Sequence, residues 1–230
     1  MRVEAVIFDL DGTLVDSRQA FLHQNLDLLK EFGKRDARIE EAISLLGQNP
    51  SQILSTFGIP KSEHEKYVAK IDMSYINYYM KKYAKPFSGV SQCLKKLRDK
   101  GIRIGVATNT TREILEETLK WVKIKDLVNV AVCADGTVKE KPEPDMLLQV
   151  IEKLNVSSDK VIYVGDTELD VLAAKKAGLS CFITVSSGIG RLENIINLRP
   201  DVLIPGASWV CRVISARCGN EKYLSHLNIG

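Results

Sequence analysis

An α/β fold is predicted by two features of the chain. After residue 89, short apolar runs alternate with amphipathic helical stretches, as a parallel sheet covered by helices on both faces requires. Residues 17–88 break that alternation and read as helices alone, with no strand pattern. The two together predict a Rossmann-like parallel sheet core, residues 1–16 and 89–230, interrupted by an inserted all-helical domain over residues 17–88.

The first strand is expected near 4–9, where Ala5-Val6-Ile7-Phe8 is the unbroken apolar run of a strand buried on both faces. Helices follow near 17–32, 36–46, 50–57 and 62–84, separated by turns that contain Gly or Pro. In the second part of the core, strands are expected near 102–108, 129–134, 160–165, 180–185 and 201–204. Helices near 90–100, 111–121, 144–154, 168–177, 190–197 and 207–217 alternate with them. Thr110 and Glu113 fit a capping box opening the helix at 111, and Pro144 suits the first turn of the helix at 144. Tyr75, Tyr79 and Tyr83 recur every four residues and read as a packing face rather than a ligand-stacking one. The tail from Asn220 to Gly230 lies beyond the last element and is expected to be partly loose.

Composition narrows the function. With 230 residues and 45% hydrophobic content, the chain has enough apolar material for a substantial core. No apolar run approaches the roughly 20 residues that span a bilayer, and the N-terminus enters a strand without a secretory pattern, so the expected location is the cytoplasm. Five cysteines without a Cys-x-x-Cys pair argue against a disulfide framework or a zinc site; the spacing of Cys211 and Cys218 leaves one bridge open. A net charge of +3 is too small for nucleic-acid binding. The whole excess lies in residues 17–88, with 11 Lys/Arg against 8 Asp/Glu. That excess either attracts an anionic substrate or merely solvates helix faces. No nucleic acid and no membrane is expected as a partner, and the chain is expected to be a monomer or homodimer.

The chemistry is concentrated at Asp9-Leu10-Asp11-Gly12, directly after the first strand. Residues i and i+2 of an extended segment point the same way, so Asp9 and Asp11 are expected to be neighbours that need a cation or a shared proton between them. Oxygen-only ligands of this kind suit Mg²⁺, which takes one or two carboxylates together with phosphate oxygens. A carboxylate attacking phosphorus, with a second one moving the proton, is the corresponding reaction. Taken alone, Asp-Gly after a strand is equally an ordinary turn.

Three further signals follow in order: Val106-Ala107-Thr108-Asn109, Lys141-Pro142-Glu143-Pro144, and Gly165-Asp166-Thr167-Glu168-Leu169-Asp170. With Asp9-x-Asp11-Gly-Thr-Leu-Val-Asp-Ser they resemble the haloacid dehalogenase superfamily in its phosphatase branch, over roughly residues 4–205. The resemblance implies that Asp9 is the nucleophile and a Mg²⁺ ligand. Asp11 is then the general acid/base and lends its backbone carbonyl to the metal. Thr108, by its hydroxyl, and Asn109, by its backbone, hold the phosphoryl oxygens. Lys141 bridges Asp9 and the phosphate. Asp166 completes the metal site, and Asp170 steers it or a metal-bound water. Dehalogenases of this superfamily lack the second Asp, so Asp11 selects phosphate chemistry.

The helical insertion resembles a C1-type cap, with hinges at Asp16-Ser17 and Pro86-Phe87-Ser88-Gly89. Leu45-Leu46-Gly47-Gln48-Asn49-Pro50-Ser51 resembles the cap loop that phosphoglycolate phosphatases present to the leaving group, with Gln48 and Asn49 as contacts. Turn chemistry explains the same residues. A phosphosugar mutase of the β-phosphoglucomutase type uses the same two aspartates, but Ser44 stands where that branch usually has Arg. A non-catalytic phospholigand-binding protein is expected to have lost Asp9, Asp11, Lys141 or Asp166, and all four are present.

Overall fold

The computed structural model describes residues 3–179 and 181–219. Strand β1 is Ala5–Phe8 and β2 is Val15–Asp16. Helices α1 (Arg18–Glu31), α2 (Ile39–Ser44), α3 (Pro50–Thr56), α4 (His64–Ser74) and α5 (Met80–Tyr83) follow, then β3 (Lys85–Pro86). Next come α6 (Val90–Asp99), β4 (Arg103–Ala107), α7 (Arg112–Trp121), β5 (Val130–Val132) and α8 (Asp145–Leu154). The chain continues through β6 (Val161–Gly165), α9 (Glu168–Lys176), β7 (Cys181–Val185), α10 (Leu192–Asn197), β8 (Val202–Ile204) and α11 (Val210–Gly219).

Six strands form one sheet in the order β5-β4-β1-β6-β7-β8, every neighbouring pair parallel. The strand order reverses beside β1: β4 and β5 lie on one side of it, β6 to β8 on the other. In open α/β sheets such a switch point opens a crevice at the carboxyl ends of the strands. Successive side chains of each strand serve opposite faces. Val6, Phe8, Ile104, Val106, Ile162 and Val164 meet α6, α7 and α11 on one face, while Ala5, Ile7, Val161 and Tyr163 meet α8 and α9 on the other. The inserted helices keep a separate apolar cluster around Leu22, Leu29, Leu45, Ile53, Leu54 and Ile71.

Several elements differ from the sequence-based expectation. The second inserted helix covers only Ile39–Ser44 rather than 36–46, because Glu41 reaches back to the Arg38 N–H (3.0 Å) and starts it late. The long helix near 62–84 is composite: a 3₁₀ turn at Lys61–Glu63, α4, a π-helical turn at Tyr75–Tyr79, and α5. Tyr75 stacks on Phe21 (4.5 Å), Tyr79 donates to Asp27 Oδ2 (2.7 Å) and Tyr83 stacks on His23 (4.0 Å), so all three pack on α1. A strand also occurs where none was expected. Val15 pairs with Pro86 and Asp16 with Lys85 in a two-stranded antiparallel ribbon. Two residues are too short for a period-2 signal, and Pro is read as a strand breaker although an edge tolerates it.

Thr110 and Glu113 do not cap α7; its N-cap is Thr111, which makes no side-chain cap bond. Pro144 is the N-cap of α8, one position before its first turn. Cys93, Cys133 and Cys181 are buried, and the Cys211 N–H points at Cys93 Sγ (3.2 Å). The Cys218 side chain and the tail at 220–230 lie outside the described residues. Among the described residues, no helix is long and apolar enough to cross a membrane.

Candidate active site

Strand register builds the site. Phe8 stands opposite Val164, and the Asp9 N–H donates to the Val164 carbonyl (2.8 Å), so Asp9 and Asp166 leave neighbouring strands side by side. On the other flank β4 delivers Thr108, whose N–H is tied to the Val132 carbonyl (3.1 Å). Lys141 arrives from the loop between β5 and α8. The Asn109 side chain holds that loop from both sides, donating to the Lys141 carbonyl (2.9 Å) and accepting from its N–H (2.9 Å).

A buried charge cluster results. Lys141 Nζ, almost wholly buried, donates to Asp9 Oδ1 (2.6 Å), Asp170 Oδ1 (2.7 Å) and the Tyr163 hydroxyl (3.2 Å). Asp170 Oδ1 also accepts from Tyr163 OH (2.6 Å), and its Oδ2 from the N–H groups of Asp166 (3.1 Å) and Thr167 (2.9 Å) and the Thr167 hydroxyl (2.6 Å). Gly165 makes room: a Cβ there would lie 2.5–2.7 Å from Asp170 side-chain atoms. Asp166 accepts from the Thr13 hydroxyl (2.7 Å) and the Ile189 N–H (2.7 Å). Gly12, at φ +86°, is needed twice, for its left-handed turn and because a Cβ would overlap Asp166. Asp9, Asp166 and Asp170 each offer an oxygen within 4.8 Å of the others.

The electrostatics are unbalanced. Burial drives the Asp9 carboxyl well above its usual range; Lys141 opposes this, while Asp170 and Asp166 push the same way as burial. Burial and Asp170 raise Asp166 to about 7. Asp170 goes the other way: burial opposes its charge, yet Lys141 and the hydrogen bonds hold it below the usual value. One lysine thus serves Asp170 and partly Asp9, which leaves carboxylate charge for a further cation to neutralise. Asp170 is saturated with donors. Asp9 and Asp166 are the oxygen donors with capacity left.

Asp11 lines the same cleft as Asp9. The charges that act most on Asp9 are Lys141, Asp170 and Asp166. Asp11 accepts from the Thr110 hydroxyl (2.6 Å), and its Oδ1 is buried without a partner. Burial raises its pKa.

Above the cluster lies a cleft of about 800 Å³, part of it open to solvent. Asp9, Asp11, Thr108, Asn109 and Lys141 form its sheet side, and Gln48 and Asn49 belong to the opposite side with Phe21, Gln24, Leu46 and Ile71. Asp166 and Asp170 stand beneath rather than in the lining. Gln48 is exposed and donates to the Ser44 carbonyl (3.2 Å). Asn49 is the N-cap of α3, accepting from the Gln52 N–H (2.8 Å), and its amide donates to Glu140. Sequence reasoning missed Thr13, Thr110, Glu140 and Tyr163. Thr13 lies inside the first motif and was within reach of it. Tyr163 sits in an apolar strand, where nothing marks its hydroxyl.

The family model described as haloacid dehalogenase-like hydrolase matches residues 6–184. A putative pyrophosphatase PpaX of Caldanaerobacter subterraneus is 28% identical over 223 residues, 97% of this chain and 99% of the relative. The phosphoglycolate phosphatase of Aquifex aeolicus is 29% identical over 178 residues, 77% of this chain and 82% of its own length. The crystal structure of a putative phosphoglycolate phosphatase from Lactobacillus plantarum superposes with a TM-score of 0.80 at 24% identity, covering 93% of this chain and 100% of that one. That likeness is one of fold.

Proposed function

The chain belongs to the haloacid dehalogenase-like hydrolases and is a phosphatase of that family; within it, we propose Mg²⁺-dependent hydrolysis of a small-molecule phosphate monoester through an aspartyl-phosphate. The observation that carries this reading is the buried contact of Lys141 with Asp9 at the floor of the cleft. Asp9 attacks phosphorus in line through the oxygen that Lys141 does not hold, and the bond from phosphorus to the ester oxygen breaks. Asp11 gives its proton to the departing oxygen, a role suited to a carboxyl whose pKa burial raises. Water then attacks the phosphorus, Asp11 takes its proton, and inorganic phosphate leaves with Asp9 regenerated. The Thr108 hydroxyl and the Asn109 backbone hold the remaining phosphoryl oxygens, and Lys141 lets two anions approach.

Asp9, Asp166 and the Asp11 carbonyl are the groups that would hold Mg²⁺, with Asp170 fixing Lys141 and the turn at Asp166. When bound, the ion neutralises carboxylate and phosphoryl charge and polarises the phosphoryl group. The inserted helices act as a cap hinged at the β2–β3 ribbon. The substrate is a small phosphorylated metabolite of the cytoplasm, a phosphoglycolate-like ester or a sugar phosphate.

Phosphate release from a panel of small esters, with and without Mg²⁺, tests the reading. Hydrolysis that needs both the metal and Asp9 is expected, with none from Asp9→Asn. No turnover, combined with conversion of glucose 1-phosphate to the 6-phosphate when a bisphosphate primer is added, would replace phosphatase by mutase.

A further inference from the structure

We propose that Tyr75 of the inserted helices and Ser17 of the hinge are positioning residues, which hold one oxygen of the Asp11 carboxyl so that the other meets the ester oxygen. The inference rests on the phosphatase reading, in which Asp11 moves the proton.

Asp11 Oδ1, Ser17 Oγ and the Tyr75 hydroxyl are all buried without a hydrogen-bond partner. Buried polar groups are nearly always paired, so three exceptions that act on one another call for a reason. Ser17 is the N-cap of α1, a position where a serine hydroxyl ordinarily accepts from the first N–H groups of the helix; here it makes no such bond. Its hydroxyl acts on the other two groups instead. Burial raises the Asp11 pKa, opposed by the hydroxyls of Thr110 and then Ser17. Burial, joined by the Asp11 charge, holds the Tyr75 hydroxyl well above its usual value, and Ser17 opposes this too. Tyr75 therefore keeps its proton and remains a donor.

Tyr75 is placed by the insertion. It opens the π-helical turn Tyr75–Tyr79, a distortion frequent at functional sites. Its ring stacks on Phe21 (4.5 Å), which lines the cleft, and belongs to the same apolar cluster as Leu10, the neighbour of Asp11 in the chain. Thr110 already donates to Asp11 Oδ2 (2.6 Å). Held by Tyr75 and Ser17 at Oδ1, the carboxyl has its plane fixed and keeps Oδ2 for the proton exchanged with the ester oxygen. Because Tyr75 belongs to the insertion, the aim of Asp11 depends on how the insertion sits over the sheet.

Two esters that differ in their need for a proton test the proposal. Glycerol phosphate releases an alkoxide that must be protonated, whereas 4-nitrophenyl phosphate releases a phenolate that departs without a proton. The measured quantity is kcat/KM, which reports the steps up to departure of the leaving group. Tyr75→Phe keeps the ring and its stack on Phe21. It is expected to lower kcat/KM about tenfold for glycerol phosphate, the worth of a hydrogen bond to a charged group, and by less than about threefold for 4-nitrophenyl phosphate. Ser17→Ala is expected to repeat the pattern. The same loss on both esters in Tyr75→Phe would make the tyrosine a packing residue and overturn the proposal, as would no loss on either. Should that variant fail to fold by circular dichroism, the same two outcomes in Ser17→Ala would overturn it. Turnover of neither ester by the unaltered enzyme would remove the phosphatase reading, and the positioning role with it.

Discussion

On the sheet side of the cleft three ionisable groups are each held by several partners: Lys141 by Asp9, Asp170 and Tyr163, Asp170 by five donors, Asp166 by Thr13 and Ile189. On the helical side the lining polar groups are amides bound to their own backbone or to a cap, and the lysines lie outside. Charge is concentrated where adjacent parallel strands end side by side, and shape is left to the helices. Under the proposed function the difference divides the work: phosphorus and metal chemistry on the sheet edge, recognition on the insertion.

Breaking the sheet side should cost most. Asp11→Asn is expected to lower kcat by about 10²–10⁴-fold without unfolding the protein, read by phosphate release alongside circular dichroism. Lys141→Met leaves Asp9 and Asp170 facing each other unpaired, and about 3–5 kcal/mol of stability should be lost in urea unfolding, as when one partner of a buried pair is removed. Added Mg²⁺ should restore part of it, because an ion that binds only the folded state stabilises it.

The helical side has one buried carboxylate of its own, Asp72, near Thr111 and Glu113, with Oδ1 unpartnered. Burial raises its pKa from 3.8 to about 6. Between those values the folded protein binds more protons than the unfolded chain, so stability falls as pH rises through that window and is level above it. Asp72→Asn is therefore expected to gain up to about 3 kcal/mol at pH 8 and nothing near pH 4, by urea unfolding at the two pH values. The smallest effect belongs to Asn49→Ala, which removes the α3 cap and the tie to Glu140 and should cost about 1 kcal/mol.

The fold was largely readable because buried parallel strands announce themselves as apolar runs, and Asp9 and Asp166 stand where two of those runs stop. The carboxylates pressing most on Asp9 come from 157 and 161 residues away, a distance in sequence that only the pairing of β1 with β6 closes. Tyr163 on Asp170 and Asn49 on Glu140 were unreadable because each depends on how a loop or insertion folds back over the sheet. Thr110 was misassigned because a threonine before a helix has the same sequence appearance whether it caps the helix or bonds Asp11.

The ribbon formed by Val15–Asp16 and Lys85–Pro86 carries a consequence for how such a molecule changes over generations. The polypeptide leaves the sheet and returns to it at adjacent points, so the sheet meets the intervening stretch as it would meet a hairpin turn. Lengthening a loop whose ends already touch costs little, only about 0.6 kcal/mol per doubling. A lineage can therefore exchange everything between those two strands, and with it one wall of the cleft, while inheriting the sheet end intact.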